Sequence, residues 1–128
     1  EGIETDLDKA WHAIHYLLCG VADEGTGTGA FLLSGGTPIG DVDVGYGPAR
    51  AMTAAQVATA ASFLEALPPE TLMQRYNAAK LDAADIYPNI WKRDGEDAKT
   101  YVRDSYDTLR QYMATAARKR MGLVIALS

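Results

Sequence analysis

The sequence predicts an α+β fold: three or four helices packed on a small, mostly antiparallel sheet that includes the C-terminal strand. Three observations predict it. Apolar residues recur at helical spacing near both ends of the chain, eight of the twelve glycines crowd between residues 22 and 50, and the chain closes on the apolar run Leu123-Val124-Ile125-Ala126-Leu127. A helix-period pattern and a β-branched run on one chain call for two kinds of element that bury each other's apolar faces.

Leu7, Trp11, Ile14 and Leu18 fall at i, i+4, i+7 and i+11, so the first helix presents one apolar face. Thr5 or Asp6 caps its start, and Gly20 stands where a helix ends. The glycine-rich stretch from Ala22 to Arg50 reads as a long structured loop region, with Phe31, Leu32 and Leu33 pinning its middle to the core. Loops of this length inside compact domains are often functional. Thr53-Ala54-Ala55-Gln56 is a capping box that opens a helix, with Val57, Ala61, Leu64 and Leu67 on its buried face. Pro68-Pro69 ends that helix and starts the next, because proline suits a first helical turn. Leu72, Met73 and Tyr76 continue helically, and Asn77 to Leu81 reads as a short turn or helix. Asp85-Ile86-Tyr87-Pro88 is a break, since a residue before proline avoids the α region. The longest helix runs from about Glu96 to Arg118 on a stripe of Tyr101, Val102, Ser105, Leu109, Tyr112, Met113 and Ala116. The closing strand needs a partner for its N–H and C=O groups. The available sources are the Phe31–Arg50 region, Arg50-Ala51-Met52, a segment upstream of Glu1, or a second copy of the chain, which would make a homodimer.

Length and charge exclude several function classes. At 128 residues the chain is one domain, 1–128, able to bury a hydrophobic core, and 48% hydrophobic with 23% charged residues is the composition of a globular protein. Twelve Lys and Arg stand against 17 Asp and Glu, for a net charge of −5. Nucleic-acid binders need a basic face, and the one dense basic run, Arg118-Lys119-Arg120, is explained by the negative pole of the helix it ends. No apolar run is long enough to span a membrane. The single cysteine, Cys19, excludes an internal disulfide and a cysteine-based zinc site, which fits a cytoplasmic protein. No cofactor or metal site is predicted. Glu1 is not a start methionine, and the chain reads as lacking an N-terminal segment.

Three stretches are similar to one known family. They are Leu7-Asp8-Lys9-Ala10-Trp11-His12-Ala13-Ile14-His15-Tyr16-Leu17-Leu18, then Asp41 to Arg50 with its Gly45-Tyr46-Gly47-Pro48-Ala49-Arg50 ending, and Asp85-Ile86-Tyr87-Pro88 followed by Trp91. With the long helix and the closing strand, in this order and over nearly the whole chain, they resemble the bacterial DUF1877 family, also called YfbM-like. The resemblance implies a small α+β protein of a bacterial cytoplasm, and an additional N-terminal strand and helix in family members. It brings no catalytic residues.

Three constellations carry chemistry-bearing side chains. On a helical turn of 3.6 residues, Asp8, His12, His15 and Cys19 line one flank beside Trp11, and they include both histidines and the only cysteine. Histidines beside a carboxylate are acid–base types if they face a cleft. The simpler account is a helix flank half in the core, with Cys19 acting as a small hydrophobe. Gly25-Thr26-Gly27-Thr28-Gly29 lacks the Gly-Lys-Ser/Thr ending of a Walker loop and the spacing of a dinucleotide fingerprint, and reads as a flexible loop. Asp41, Asp43, Tyr46 and Arg50 gather two carboxylates, an aromatic ring and a cation on a loop-rich segment. Tyr87 and Trp91 flank Pro88 as an aromatic pair that is either a core plug or a binding contact.

Two function classes follow. The first is a non-enzymatic protein-interaction module, an immunity-type protein that blocks a bacterial toxin being one form, with Asp41, Asp43, Tyr46, Arg50, Tyr87 and Trp91 as binding residues. The second is a small hydrolase or transferase that uses His12 or His15 with Asp8 or another nearby carboxylate. Small size, acidity and the lack of a complete catalytic motif favour the first.

Overall fold

The computed structural model describes residues 4–42 and 47–127, apart from the side chain of Asp8. Six α-helices and three strands occur among them: α1 (Trp11–Cys19), α2 (Phe31–Ser34), β1 (Thr37–Pro38), β2 (Arg50–Met52), α3 (Ala54–Glu65), α4 (Pro69–Met73), α5 (Ala78–Ala83), α6 (Trp91–Arg118) and β3 (Leu123–Ile125). The fold is α+β, with more helices than the three or four expected because α2, α4 and α5 are each six residues or fewer.

Local chemistry sets most of the element ends. Gly20 closes α1 at φ 83°, a left-handed conformation that glycine adopts without a Cβ clash, and its N–H reaches Tyr16 O at 2.7 Å. Both bonds of the Thr53–Gln56 capping box are made, at 2.9 and 3.1 Å. Pro69 occupies the first turn of α4, as the Pro68-Pro69 pair predicts. The Asn77 side chain accepts from Lys80 N–H to start α5. The long helix starts at Trp91, five residues earlier than expected. Its first turn is set off by Gly95, at φ 56° and ψ −129°, so the regular helix begins at Glu96.

Helices α3, α4 and α5 pack along α6, and α1 joins the same core. The α6 face that does this is Ala98, Val102, Tyr106, Leu109, Met113 and Ala116. Tyr106, absent from the predicted stripe, is fully buried and donates to Leu67 O at 2.8 Å, while Tyr101, Ser105 and Tyr112 lie at its half-buried margins. On α3 the buried residues are Val57, Ala60 and Leu64, with Ala61 and Leu67 half-buried. Three arginines hold helix C-termini, where carbonyls lack intrahelical partners and the helix dipole favours a cation. Arg75 donates to Leu17 O of α1, Arg110 to Leu64 and Glu65 O of α3, and Arg50 to carbonyls of α2 and the residue after it.

The sheet has the order β1-β2-β3 and is antiparallel throughout. The closing strand therefore finds its partner in Arg50-Ala51-Met52, with Arg50 opposite Ile125 and Met52 opposite Leu123. Gly36 makes the close approach that lets β1 reach β2: at φ 79°, a Cβ there would stand 2.5 Å from Ala51 O.

Candidate functional site

The flank of α1 that carries both histidines is inside the protein. His15 is fully buried and His12 nearly so, at 9% exposed. The His12 ring stacks on Trp11, with centroids 4.9 Å apart. Its Nδ1 lies 2.9 Å from the main-chain N of Tyr87 and its Nε2 2.8 Å from Ala22 O. An N–H can only donate, so Nδ1 accepts and the ring proton sits on Nε2, which donates to Ala22. His15 Nε2 lies 2.8 Å from Asp23 O, with Cys19 Sγ 3.4 Å from the same nitrogen. Burial pushes the His15 pKa down, with a smaller contribution from neighbouring His12 and Arg50; the bond to Asp23 opposes it. The two imidazoles thus tie the Ala22–Asp23 segment to α1, and His12 also ties the turn at Tyr87. Among the described residues no three His, Cys, Asp or Glu side chains are gathered so as to hold a metal ion.

Arg50 is not a surface cation. It is 8% exposed, and its guanidinium donates to Phe31 O at 3.2 Å, Gly35 O at 2.6 Å and Leu32 O. Burial lowers its pKa, and Glu24 acts against that shift. Trp91 likewise is no part of an exposed patch: it is fully buried, and its indole N–H donates to Ile86 O at 2.9 Å. Tyr87 is half-buried, and it is its main-chain N–H that engages His12. Asp41 is exposed beside Val42, which is 72% exposed. Asp43, Tyr46 and the Asp8 carboxylate lie outside the described residues.

Sequence reasoning passed over two positions here. Asp82 caps α6 from outside, accepting from the N–H groups of Trp91 and Lys92 at 3.3 and 3.0 Å. Nine residues separate it from the helix it caps, so a local capping pattern cannot reveal it. The Tyr76 hydroxyl is buried without a hydrogen-bond partner among the described residues, and burial raises its pKa to about 12, with Asp82 and Glu96 adding to the effect. Lys99 Nζ stands 5.9 Å from that ring's centre.

Among the described residues three clefts of similar size stand out, and neither imidazole nor Arg50 lines these three. The glycine-rich loop borders one of about 460 Å³, together with Ser34, Gln56 and Thr59. A second cleft, about 470 Å³ and lined largely by apolar residues, lies between the N-terminal segment, Trp11, the C-terminal part of α6 and β3. Every residue from Met121 to Leu127 lines it. Successive side chains of a strand point to opposite faces, so a strand contributes consecutive residues only where its edge is presented.

Register identifies the groups on that edge. Ile39 N–H donates to Ala49 O, so the pairs Ile39–Ala49 and Thr37–Ala51 exchange hydrogen bonds and the Pro38–Arg50 pair does not. Ala51 thereby turns its main-chain groups toward β1, while Arg50 and Met52 turn theirs toward Ile125 and Leu123. The N–H and C=O of Val124 then point away from the sheet. Among the described residues no strand pairs with them, and the Val124 side chain is 63% exposed.

This is a small α+β domain built on a three-stranded antiparallel sheet with one long helix. The family model for DUF1877, described as a domain of unknown function, matches residues 1–126, and the chain belongs to that family. Comparison with curated proteins and with solved structures gave no match.

Proposed function

We propose that the protein is a binding module of a bacterial cytoplasm and that it works by protein–protein contact, accepting an extended apolar segment of a partner protein along β3. The observation that carries this reading is the coincidence of an apolar cleft with the outward N–H and C=O of Val124. An added strand satisfies those groups, and its alternate side chains fill the cleft; main-chain bonds supply affinity and side-chain pockets supply selectivity. An immunity-type protein that masks a strand of a toxin is one form of such a module. The reading is favoured over a hydrolase or transferase because both nitrogens of His12 and Nε2 of His15 are spent on main-chain partners, and neither ring lines the three clefts described above.

The test is titration of the ¹⁵N-labelled chain with alternating Val-Thr hexapeptides. Amide shifts confined to β3 and the cleft are expected. Val124→Pro removes the outward N–H while leaving the β2–β3 bonds, and it abolishes the shifts. Shifts elsewhere, or an unchanged response in the proline variant, refute the reading. So does slow exchange of the Val124 amide in the free natural polypeptide, which would mean that its own residues already cover the edge.

A further inference from the structure

The turn between α5 and α6 is anchored in the core by the fully buried Ile86, holds two residues in an unfavourable conformation, and is tied down in part by a bond to a titratable ring. Asp85 and Asn89 have φ of 59° and 66°, in the left-handed region that side chains other than glycine enter at a cost. Within the segment, Asn89 Nδ2 donates to Asp85 Oδ1 and Asn89 N–H to Ile86 O. Among the bonds that tie it to the rest of the protein are the Trp91 indole on Ile86 O, Ile86 N–H on Leu81 O and Tyr87 N–H on His12 Nδ1. The last of these exists only while Nδ1 is unprotonated.

We propose that His12 is a protonation-sensitive latch on the 85–90 turn. One proton from solvent adds to Nδ1 and places two donors face to face, 2.9 Å apart at nitrogen, so Tyr87 N–H leaves the ring. The other side of the ring is unaffected, because Nε2–H donates to Ala22 O in both protonation states. The Tyr87 main chain is released from the ring while Ile86 and the Ala22–Asp23 segment stay docked.

The charged groups around the latch do not replace the proton. On α1 the neighbour is His15, itself buried and acted on by His12, Arg50 and Asp23. On the 20–25 loop, Asp23 offers its main-chain carbonyl to His15, and Glu24 acts on Arg50. On the α5–α6 side, the Asp82 carboxylate is taken by the α6 N-terminus and that of Asp85 by Asn89. Trp11 covers one face of the ring.

Imidazole ¹⁵N shifts and amide exchange, recorded between about pH 8 and pH 5, test the latch. The neutral ring is expected as the Nε2–H tautomer. Protonation of His12 is expected to lower the protection of the Tyr87 amide roughly tenfold, the loss of one hydrogen bond, beyond the intrinsic pH dependence of exchange. The amides of Val102 and Leu109 in α6 keep theirs. In His12→Asn the amide oxygen takes the place of Nδ1 and does not titrate, so Tyr87 protection loses its pH step. The proposal is overturned if Tyr87 protection falls only together with that of Val102 and Leu109, if His12→Asn keeps the step, or if the neutral ring is the Nδ1–H tautomer.

Discussion

Replacing Arg50 by methionine tests whether this cation holds the fold or awaits a ligand. Methionine keeps an apolar stem of similar length and removes the guanidinium. Three main-chain carbonyls then lose a hydrogen bond: those of Leu32 and Gly35, and that of Phe31, which keeps the Gly35 N–H at 2.9 Å. Each such loss costs about 1 kcal/mol once water has partly replaced the bond. Against this, the variant no longer buries a cation, a cost visible in the depressed pKa of Arg50 and worth of order 1 kcal/mol. The expected net loss is about 2 kcal/mol, a substantial part of the 5–15 kcal/mol typical of a domain. Arg50→Lys recovers little, because a single ammonium cannot span three carbonyls. Urea unfolding followed by circular dichroism measures the change. A methionine variant within about 0.5 kcal/mol of the parent would refute the argument. It would mean that α2 does not depend on the guanidinium, and would return Arg50 to the set of binding residues.

Three further expectations follow from the same geometry. Trp91→Phe removes the bond to Ile86 O and leaves space in the core, for a loss of about 2 kcal/mol in urea unfolding; a change below about 0.5 kcal/mol would place the ring at the surface instead. His15 has a folded-state pKa below that of a free histidine, so the unfolded chain takes up its proton first as pH falls. The stability His15 confers is therefore complete about a pH unit above the free-histidine value of about 6.5 and declines as pH falls through it, so the urea midpoint of a His12→Asn background should drop between about pH 7.5 and pH 5.5. A flat or rising midpoint contradicts the burial of the ring. Thr53→Ala breaks the capping box of α3 and should cost about 1 kcal/mol, read as a lower thermal midpoint with unchanged helix content at low temperature.

Much of the architecture was legible because it rests on local chemistry. The Thr53–Gln56 box, the Gly20 end of α1, the proline start of α4 and the β-branched run of β3 all act over four or five residues, and each stands where the pattern put it. The error in the α6 stripe has the same origin. Tyr106 carries a hydroxyl and reads as a margin residue, yet its oxygen meets Leu67 O and its ring fills the core.

The site residues behaved differently. Sequence spacing correctly placed His12, His15 and Cys19 along one helix, but a helix flank faces solvent or core according to what packs on it, and here the Ala22–Asp23 segment and the Tyr87 turn do. Arg50, Arg75 and Arg110 look alike as surface cations in the sequence, and each turns out to hold the carbonyl end of a helix. What the sequence by itself determined is the periodicity, the local caps at Gly20, Thr53 and Pro69 and the closing strand, because these depend on neighbours along the chain, whereas the Thr5 or Asp6 cap expected for the first helix is not made. Only the tertiary structure decided which polar groups are consumed inside and which, among the described residues, lie on an edge that no strand pairs with. A hydrogen bond joins whatever the fold brings within 3 Å, and for Arg75 and Leu17 those partners are 58 residues apart.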